Sequence, residues 1–305
     1  MSTDLPILET VGKSLLPTVK VADPDFDIKS IAQCTLCIEI DESRFRFCFV
    51  QANSMRCLWL EDYAFDTFLN EEEYLDKLKI IADEHPFLTS DQWKDVRVSV
   101  NTHDFTLIPT ALFRREYAGE YLQLATGSEA LDKNRVMSHL LPYVNAHTIF
   151  TIPTQWSDWL LGLFPLQHIE FYHLSSPMII GTIVSHSEYR EQKLVTIHME
   201  ENYFTLIYSD DKKLKFCNRF QYQSPLELTY LVLFSMNQLE VLPDEIKAKL
   251  YGEITPFSDV YIELAKFLPS LQFGNNPTTL AYTNGFEDIP EHRYFGLLNT
   301  YLVQS

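Results

Sequence analysis

Two β-hairpin patterns recur 159 positions apart in this chain of 305 residues. Residues 36–41 and 44–50 alternate apolar with polar or small side chains around a short turn, and residues 194–199 and 203–208 repeat the pattern. Such alternation is typical of half-buried strands, because successive side chains point to opposite faces of a sheet. The hairpins match without a gap at six pairs: Ile38 with Ile197, Ile40 with Met199, Asp41 with Glu200, Phe45 with Phe204, Phe47 with Leu206 and Phe49 with Tyr208.

A third strand and a capped helix follow each hairpin. The third strands are predicted at residues 55–60 and 213–220. Asn70 and Ser224 are residue types that cap helices, and each is followed three positions later by a glutamate that can reach back to the cap. Pro225 suits the first helical position, where no amide hydrogen is required. Both halves of the chain therefore start their first helix with the same local signal.

The rest of each half predicts a fourth strand, a second helix and a fifth strand. In the first half these elements are predicted at residues 96–100, 111–124 and 148–152, and a further helix at 155–163 closes that half. In the second half they are predicted at residues 246–250, 258–267 and 279–282. Because the element order and the caps repeat as well as the strands, duplication explains the pattern better than coincidence does.

The duplication predicts an α/β protein of two tandem units, each with five strands and helices. We expect a lead-in segment at residues 1–30, a first lobe at residues 31–185 and a second lobe at residues 186–305. The lead-in is punctuated by prolines and aspartates, which suits either a disordered tail or an ordered edge segment.

Glycine is scarce, with 9 residues in 305, roughly half of the usual frequency of about 7 %. The nearest two, Gly119 and Gly127, lie eight positions apart. The dinucleotide fingerprint, the phosphate loop and the nucleophile elbow all need glycines closer together. A residue without Cβ lets the chain turn sharply and place main-chain amides against a phosphate. The sequence therefore excludes these three motifs.

The duplicated unit resembles the ribonuclease H-like lobe of the actin-like ATPase superfamily. A narrower resemblance is carried by five segments: 105–109 with Leu112-Phe113, 148–153, 214–218 with Phe220, 228–234 and 249–253. Through them the chain is similar, over about residues 30 to 305, to an uncharacterised bacterial family, domain-of-unknown-function family 3822. The resemblance implies an α/β fold of two tandem ribonuclease H-like lobes, each a mixed five-stranded sheet with helices, that face each other across a cleft.

The resemblance implies that, in active actin-like ATPases, the first hairpin of each lobe carries an acidic residue. A glycine follows it closely, and the turn at this glycine wraps around the phosphate. Asp41 and Glu200 hold the acidic positions here, but both glycines are missing. Gly285 is the nearest single candidate for the glycines expected beside adenosine. A Cβ in these hairpins crowds a tight phosphate turn and disfavours positive φ. We expect neither ATP binding nor hydrolysis; binding without turnover and divergent hydrolysis are the alternatives.

The chain is acidic, with 24 lysines and arginines against 42 aspartates and glutamates, a formal charge of −18. Such a surface repels nucleic acid and anionic lipid, so we expect neither as a partner. No apolar run reaches the roughly 18 residues of a membrane span. Five cysteines form an odd, sparse set, and the first residues lack a secretory signal. We expect a cytoplasmic protein with reduced thiols.

Two other motifs have ordinary structural explanations. Cys34 and Cys37 lie three positions apart on a predicted strand, where side chains point to opposite faces, so we interpret them as packing residues rather than a metal site. Trp156 and Trp159 have the spacing of a buried helix face. The alternative for that helix is a docking surface for a partner.

Three functions remain open from the sequence. The first is a non-catalytic, pseudo-ATPase scaffold or adaptor that binds a protein partner of unknown identity and uses no cofactor, catalytic residue or metal. The second is a divergent ATPase or kinase that uses Asp41 and Glu200 at the cleft between the lobes, with Gly285 as a further candidate. The third is a sensor whose lobes close on a small ligand.

Overall fold

A computed structural model describes residues 15–65, 69–127, 133–185 and 193–303. Its strands are β1 (Val19–Ala22), β2 (Cys34–Ile40), β3 (Arg44–Gln51), β4 (Arg56–Ala64), β5 (Asp95–Val100), β6 (Phe105–Pro109), β7 (Asn134–Leu141), β8 (Ala146–Pro153), β9 (Ile169–His173), β10 (Lys193–Met199), β11 (Tyr203–Asp210), β12 (Lys213–Gln221), β13 (Ile246–Gly252), β14 (Leu271–Phe273) and β15 (Ala281–Tyr282). Its α-helices are α1 (Glu71–Glu84), α2 (Ala118–Thr126), α3 (Thr154–Leu163), α4 (Ser175–Ser185), α5 (Pro225–Gln238), α6 (Asp259–Ala265) and α7 (Phe295–Thr300).

Two sheets share one strand order and one set of strand directions. Five strands of the first sheet run in the order β4-β3-β2-β5-β9, and the second sheet runs β12-β11-β10-β13-β14. In each sheet the first three strands are antiparallel neighbours and the last two join in parallel. Ile38 pairs with Phe47 as Ile197 pairs with Leu206. The predicted duplication of the hairpins is confirmed at the level of register.

The predicted helix caps are confirmed in both halves. The Asn70 side chain accepts a hydrogen bond from the Glu73 amide at 3.0 Å, and the Glu73 carboxylate accepts one from the Asn70 amide at 3.1 Å. Ser224 Oγ likewise accepts a hydrogen bond from the Glu227 amide at 3.2 Å. Each cap satisfies an amide that the first turn of a helix leaves free. Thus α1 and α5 start where the sequence predicts.

The segments predicted as fifth strands, residues 148–152 and 279–282, do contain strands, but neither strand is the fifth of its own sheet. Residues 148–152 lie in β8, which joins β6 and β7 in a separate three-stranded sheet, and the fifth strand of the first sheet is β9. In the second half the fifth strand is β14, while β15, in the predicted segment 279–282, pairs with β4 of the first sheet. An alternating pattern identifies a strand but not its neighbour, because the neighbour depends on the path of the whole chain. The first sheet also has seven strands rather than five, since β1 and β15 extend its β4 edge.

The predicted lead-in is ordered where it is described. Within it, β1 pairs antiparallel with β4, and Val21 is buried against the first sheet. Residues 1–14 lie outside the described residues. The division of the chain at residue 186 stays a prediction, and β15 and α7, which follow the second sheet in sequence, lie against the first.

Two helices pack against each other between the sheets. Helix α4 contacts β11, β12 and α7, and α7 contacts β2, β3 and β5. A Cβ on Gly181 of α4 would lie 2.5 Å from the Asn299 side chain and 2.6 Å from that of Phe295, both on α7. The helices therefore approach closely because glycine stands at this position.

The two structural explanations offered for the cysteines and the tryptophans are confirmed. Cys34 and Cys37 are buried free thiols in different hydrophobic clusters on opposite faces of the first sheet. Trp156 is buried against Tyr74 of α1, with ring centroids 5.4 Å apart, and Trp159 meets the Phe45 ring at 6.2 Å. Helix α3 thus packs on the first sheet through its aromatic face.

Candidate functional site

The two hairpin turns of the duplication face one cavity between the lobes. The turn of residues 41–44 connects β2 and β3, the turn of residues 200–203 connects β10 and β11, and both line a cavity of about 560 Å³. Its further lining residues come from the segments after β5 and β13 and from β12: Asn101, His103, Arg219, Gln221 and Glu253. Asp41 and Glu200, predicted as candidate site residues, are therefore brought together. Gly285 lies elsewhere, next to Val21 at the edge of the first sheet.

The two turns have the same main-chain hydrogen bond. The Asp41 amide donates to the Arg44 carbonyl at 3.1 Å, and the Glu200 amide donates to the Tyr203 carbonyl at 3.0 Å. None of the residues in either turn has a positive φ. Side chains with a Cβ adopt these turns without strain, and the conformation differs from the left-handed one that favours glycine.

The Asp41 carboxylate is committed to its own turn. Its Oδ1 atom accepts hydrogen bonds from the Ser43 amide at 2.7 Å, the Ser43 hydroxyl at 3.0 Å and the Arg44 amide at 2.7 Å. An aspartate that bonds to amides two and three residues ahead fixes a turn as a backbone bond does. Asp41 therefore shapes the hairpin, and its Oδ1 atom already accepts three hydrogen bonds from the turn.

Glu200, at the equivalent position, makes no such contacts. It is only 8 % exposed, and its Oε1 atom has no hydrogen-bond partner within the part of the chain that the structure describes. The nearest ionisable contact is His198 Nδ1 at 3.5 Å. Burial raises the pKa of Glu200 to about 8, although Arg46 opposes the rise. Burial lowers the pKa of His198 to about 3, so this imidazole is neutral near pH 7.

Arg219 of β12 bridges the second lobe to the segment after β5. Its guanidinium donates to the Thr102 carbonyl at 2.6 Å, to Asn101 Oδ1 at 2.8 Å and to Thr205 Oγ1 at 3.4 Å. The group also lies over the Tyr203 ring, 4.4 Å from its centroid. Arg219 thus closes one wall of the cavity, with its donors directed at protein acceptors.

A buried ion network borders the cavity and reaches its lining through Arg44 and Glu253. Arg46 of β3 donates to Glu39 Oε1 at 2.6 Å, to Asp62 Oδ1 at 3.3 Å and to Glu253 Oε1 at 2.7 Å. Arg44 and Arg293 also pair with Asp62 and Glu253. Glu253 follows β13 of the second lobe, so the network joins the lobes.

Gly252 directs Glu253 into this network. It has a φ of +90°, and a Cβ there would lie 2.1 Å from the Met199 carbonyl oxygen. The Glu253 amide donates to that same carbonyl at 3.0 Å. Only glycine fits this close left-handed position. The pair Gly252-Glu253 was part of the sequence resemblance, but its role in the site was not predicted.

Other features of the described residues do not add to the site. No group of three or more histidine, cysteine, aspartate or glutamate side chains in the described ranges is arranged to hold a metal ion. Among those residues, no helix is long and apolar enough to cross a membrane.

Comparison of the sequence with models of known protein families identifies the family of this chain. Residues 23–271 match a family described as a protein of unknown function, DUF3822. The chain belongs to the DUF3822 family. No protein with a curated description matches the sequence.

Solved structures show the fold of this DUF3822 member. A Bacteroides thetaiotaomicron protein with an actin-like ATPase fold and unknown function is similar with a TM-score of 0.75 and 21 % identity, over 92 % of this chain and 99 % of that one. The PilM-PilN type IV pilus biogenesis complex gives a TM-score of 0.66 and 11 % identity, over 89 % of this chain and 99 % of the matched chain. The predicted α/β fold of two ribonuclease H-like lobes with actin-like architecture is confirmed.

Proposed function

We propose that this DUF3822 protein is a non-catalytic, two-lobed scaffold that binds a protein partner and has lost the phosphate turns of actin-like ATPases. The observation that carries the proposal is the cavity between the hairpin turns of residues 41–44 and 200–203. An actin-like fold implies a nucleotide and its metal ion at such a cleft. The residues that line the cavity do not suit a triphosphate, for a reason of geometry and a reason of charge.

The geometric reason is the absence of a glycine turn in either hairpin. A phosphate-wrapping turn presents several main-chain amides to the anion, which requires backbone that a Cβ obstructs. In the first turn, the amides of Ser43 and Arg44 already donate to the Asp41 carboxylate. A phosphate entering here would have to compete with a negatively charged side chain for the same donors.

The electrostatic reason is an excess of carboxylates around the cavity. Two arginines, Arg44 and Arg219, contribute to the lining, and both are engaged by acceptors of the protein. Five acidic residues share the lining with them, and burial keeps one of these, Glu200, mostly protonated near pH 7 by raising its pKa: Asp41, Glu42, Glu200, Glu201 and Glu253. Like charges repel strongly where the surroundings are partly desolvated. A triphosphate is therefore disfavoured.

The likeness to the PilM-PilN complex supports a protein as the partner. That solved assembly combines a chain of similar fold with a second protein in pilus biogenesis. A two-lobed scaffold of this architecture can thus bind another protein. This argument is an analogy of fold and not of binding site. We propose the cytoplasm as its location, in keeping with the acidic sequence and its sparse, unpaired cysteines.

Thermal denaturation with nucleotide tests the proposal. A ligand that binds the native state raises the melting temperature, because it stabilises only the state it binds. The full chain, heated with millimolar ATP or ADP and magnesium, is expected to melt at the same temperature as without them. A reproducible rise that saturates with nucleotide concentration would contradict the proposal.

The alternative is a divergent ATPase or kinase, and one observation favours it: Asp41 and Glu200 do line a common cavity. Under that alternative, Asp41→Ala would abolish nucleotide turnover while the protein remains folded by circular dichroism. Under our proposal the unaltered chain already shows no turnover above a boiled control, with any nucleoside triphosphate.

A further inference from the structure

Helix α5 of the second lobe presents an apolar surface to solvent, the α5 face, which consists of Leu226, Tyr230 and Phe234. These side chains are 67 %, 61 % and 48 % exposed. Contiguous large apolar side chains on the surface of a protein mark a site of interaction. We propose that the α5 face binds the same face of a second copy of the chain and so forms a two-fold symmetric dimer. The inference goes beyond the proposed function and does not depend on it.

The equivalent helix of the first lobe shows that a helix at this place in the fold does not require an apolar surface. Helices α1 and α5 both have 14 residues, and each has a glutamate three positions after its cap. Aligned on the caps, Leu226 corresponds to Glu72, Tyr230 to Asp76 and Phe234 to Ile80. The three positions of α1 are exposed, and Asp76 pairs there with Lys79. The duplicated helix is therefore mostly charged on its outer side in one lobe and apolar in the other.

The α5 face is not used for packing within its own lobe. Other side chains of α5 attach the helix to the core of the second sheet, and three of them are buried there: Leu228, Val232 and Met236. On the outer side, the rings of Tyr230 and Phe234 are stacked, with 5.8 Å between their centroids. Buried aromatic side chains contribute much of the binding free energy at protein interfaces. The α5 face thus has the composition of an interface centre.

The exposed apolar area matches what a stable dimer requires. Helix α6 packs against α5 and carries exposed Ile262, and exposed Phe267 follows this helix. At roughly 200 Å² for a fully exposed large side chain, these two residues and the α5 face offer on the order of 500 Å² of apolar surface. A standard interface buries about 800 Å² per partner, of which roughly 60 % is apolar.

The charge of the α5 face favours a second copy over a charged partner. Residues 225–238 contain one charged side chain, Glu227, whose carboxylate accepts a hydrogen bond from the Gln223 amide at 2.8 Å. Because the chain has a formal charge of −18, two copies repel each other, and an uncharged face is where this repulsion is weakest. A basic protein would need acidic side chains on the face, and an anionic membrane would need basic ones.

The order of the side chains along α5 suits a two-fold axis. Because they are spaced four residues apart, Leu226, Tyr230 and Phe234 form one ridge on the helix surface. A two-fold interface requires a surface that is complementary to itself, since both copies use the same patch. With the axis at Tyr230, two antiparallel α5 helices place the Tyr230 rings against each other and Leu226 against Phe234 of the second copy. Each apolar side chain of the ridge then meets another.

Sedimentation equilibrium of the full chain tests the dimer, and twice the chain mass of 35.6 kDa is the expected result. Concentrations up to about 100 µM cover the micromolar affinities at the weak end of standard interfaces. Tyr230→Asp gives α5 the residue that α1 has at the equivalent position. We expect it to weaken dimerisation by about thirtyfold or more, the loss typical of an aromatic hot spot. Ile80→Asp, the matched control, introduces the same acid on the exposed side of α1 and should leave dimerisation within about twofold.

A mixture of oppositely charged variants locates the axis. In a two-fold dimer, Tyr230→Asp and Tyr230→Lys each bring two like charges together, whereas an equal mixture of the two variants pairs opposite charges. We expect the mixture to dimerise about tenfold more tightly than either variant alone. Circular dichroism before each run checks that the variants remain folded, which the exposure of Tyr230 leads us to expect.

Three results would overturn the inference. A chain that stays monomeric at about 100 µM would show that a second copy does not occupy the α5 face. A dimer that Tyr230→Asp weakens no more than Ile80→Asp does would have its interface elsewhere. A mixture of charged variants that is no tighter than its components would remove the axis at Tyr230. All three leave the scaffold proposal standing, whereas stabilisation by ATP and magnesium would refute that proposal separately.

Discussion

Arg46 and Glu253, which are 207 positions apart in the sequence, form an ion pair of 2.7 Å that joins the two lobes. The same guanidinium also pairs with Glu39 and Asp62, which are both buried. Because the Arg46 side chain is only 3 % exposed, the pairing occurs in a desolvated setting where each charge depends on its partners. The network therefore connects buried residues of the first lobe to Glu253 of the second.

Replacing Arg46 by methionine should destabilise the protein strongly. The substitution keeps an unbranched apolar stem and leaves Glu39 and Asp62 without their shared cation. Breaking a buried ion pair by removing one partner costs about 3–5 kcal/mol. Urea unfolding followed by circular dichroism measures the loss, and Lys79→Met, in the exposed pair with Asp76, is the control with little expected change. A loss for Arg46→Met as small as that of the control would contradict this account of the network.

Asp41→Asn should leave the protein nearly as stable as the unaltered chain, whereas Asp41→Ala should lower its stability clearly. Asp41→Ala removes the acceptor for the Ser43 and Arg44 donors, and we expect a loss of about 1–2 kcal/mol in unfolding free energy. Asp41→Asn retains an oxygen at Oδ1, so its loss should be less than half as large. Urea denaturation of the two variants in parallel gives the comparison. Equal losses would assign the effect to charge rather than to the turn.

Gly252→Ala should lower the stability of the protein, because the strained backbone would displace Glu253 from the ion network. The alanine would need a φ of +90° and place its Cβ 2.1 Å from the Met199 carbonyl oxygen. A strained backbone of this kind costs about 1–3 kcal/mol before the steric contact is counted. Gly162→Ala in α3 is the matched control, since apart from the neighbouring residues and backbone of its own helix no heavy atom lies within 4 Å of the new Cβ. Differential scanning calorimetry should show a lower melting temperature for the first variant and an equal or higher one for the second.

The sequence predicts the parts of the fold that depend on local pattern. The hairpins 36–50 and 194–208 and the caps Asn70 and Ser224 were found because alternation and capping act over a few residues. Helix α4 was missed because residues 175–182 are all buried, so no polar face marks its period. The strands β9 and β14 are short, with five and three residues, and carry too few positions to show alternation.

The candidate site was predictable only at its two turns. Asp41 and Glu200 were found through the repeat, but the sequence could not show that one of them is hydrogen-bonded and the other is not. Asn101, Arg219 and Glu253 reach the cavity from distant segments that only the packing of the lobes brings together. For Glu253, the preceding Gly252 was the available signal, because a glycine at the end of a strand marks a sharp change of direction.

Glu200 should make the protein less stable as the pH rises. Burial raises its pKa from the ordinary 4.5 to about 8, so between these values the native state holds a proton that the unfolded state has released. Stability due to this group is therefore fully present below about pH 4.5 and is lost as the pH rises to about 8, by at most about 1.4 kcal/mol per pH unit. The charges that act on it come from several elements: Arg46, Asp41, Glu39 and Glu253.

The histidines oppose this trend at lower pH, so the measurement must isolate Glu200. Burial lowers the pKa of His198 to about 3, and its contribution to stability rises with pH up to the unfolded value near 6.5. Because His198 is present in both the unaltered chain and Glu200→Gln, its contribution cancels in their difference. Unfolding free energies of the two proteins, measured by urea titration from pH 5 to 8, should lie closest at pH 5 and separate as the pH rises, with the variant relatively more stable at pH 8. A constant difference between the two proteins from pH 5 to 8 would mean that Glu200 titrates as an ordinary exposed carboxylate.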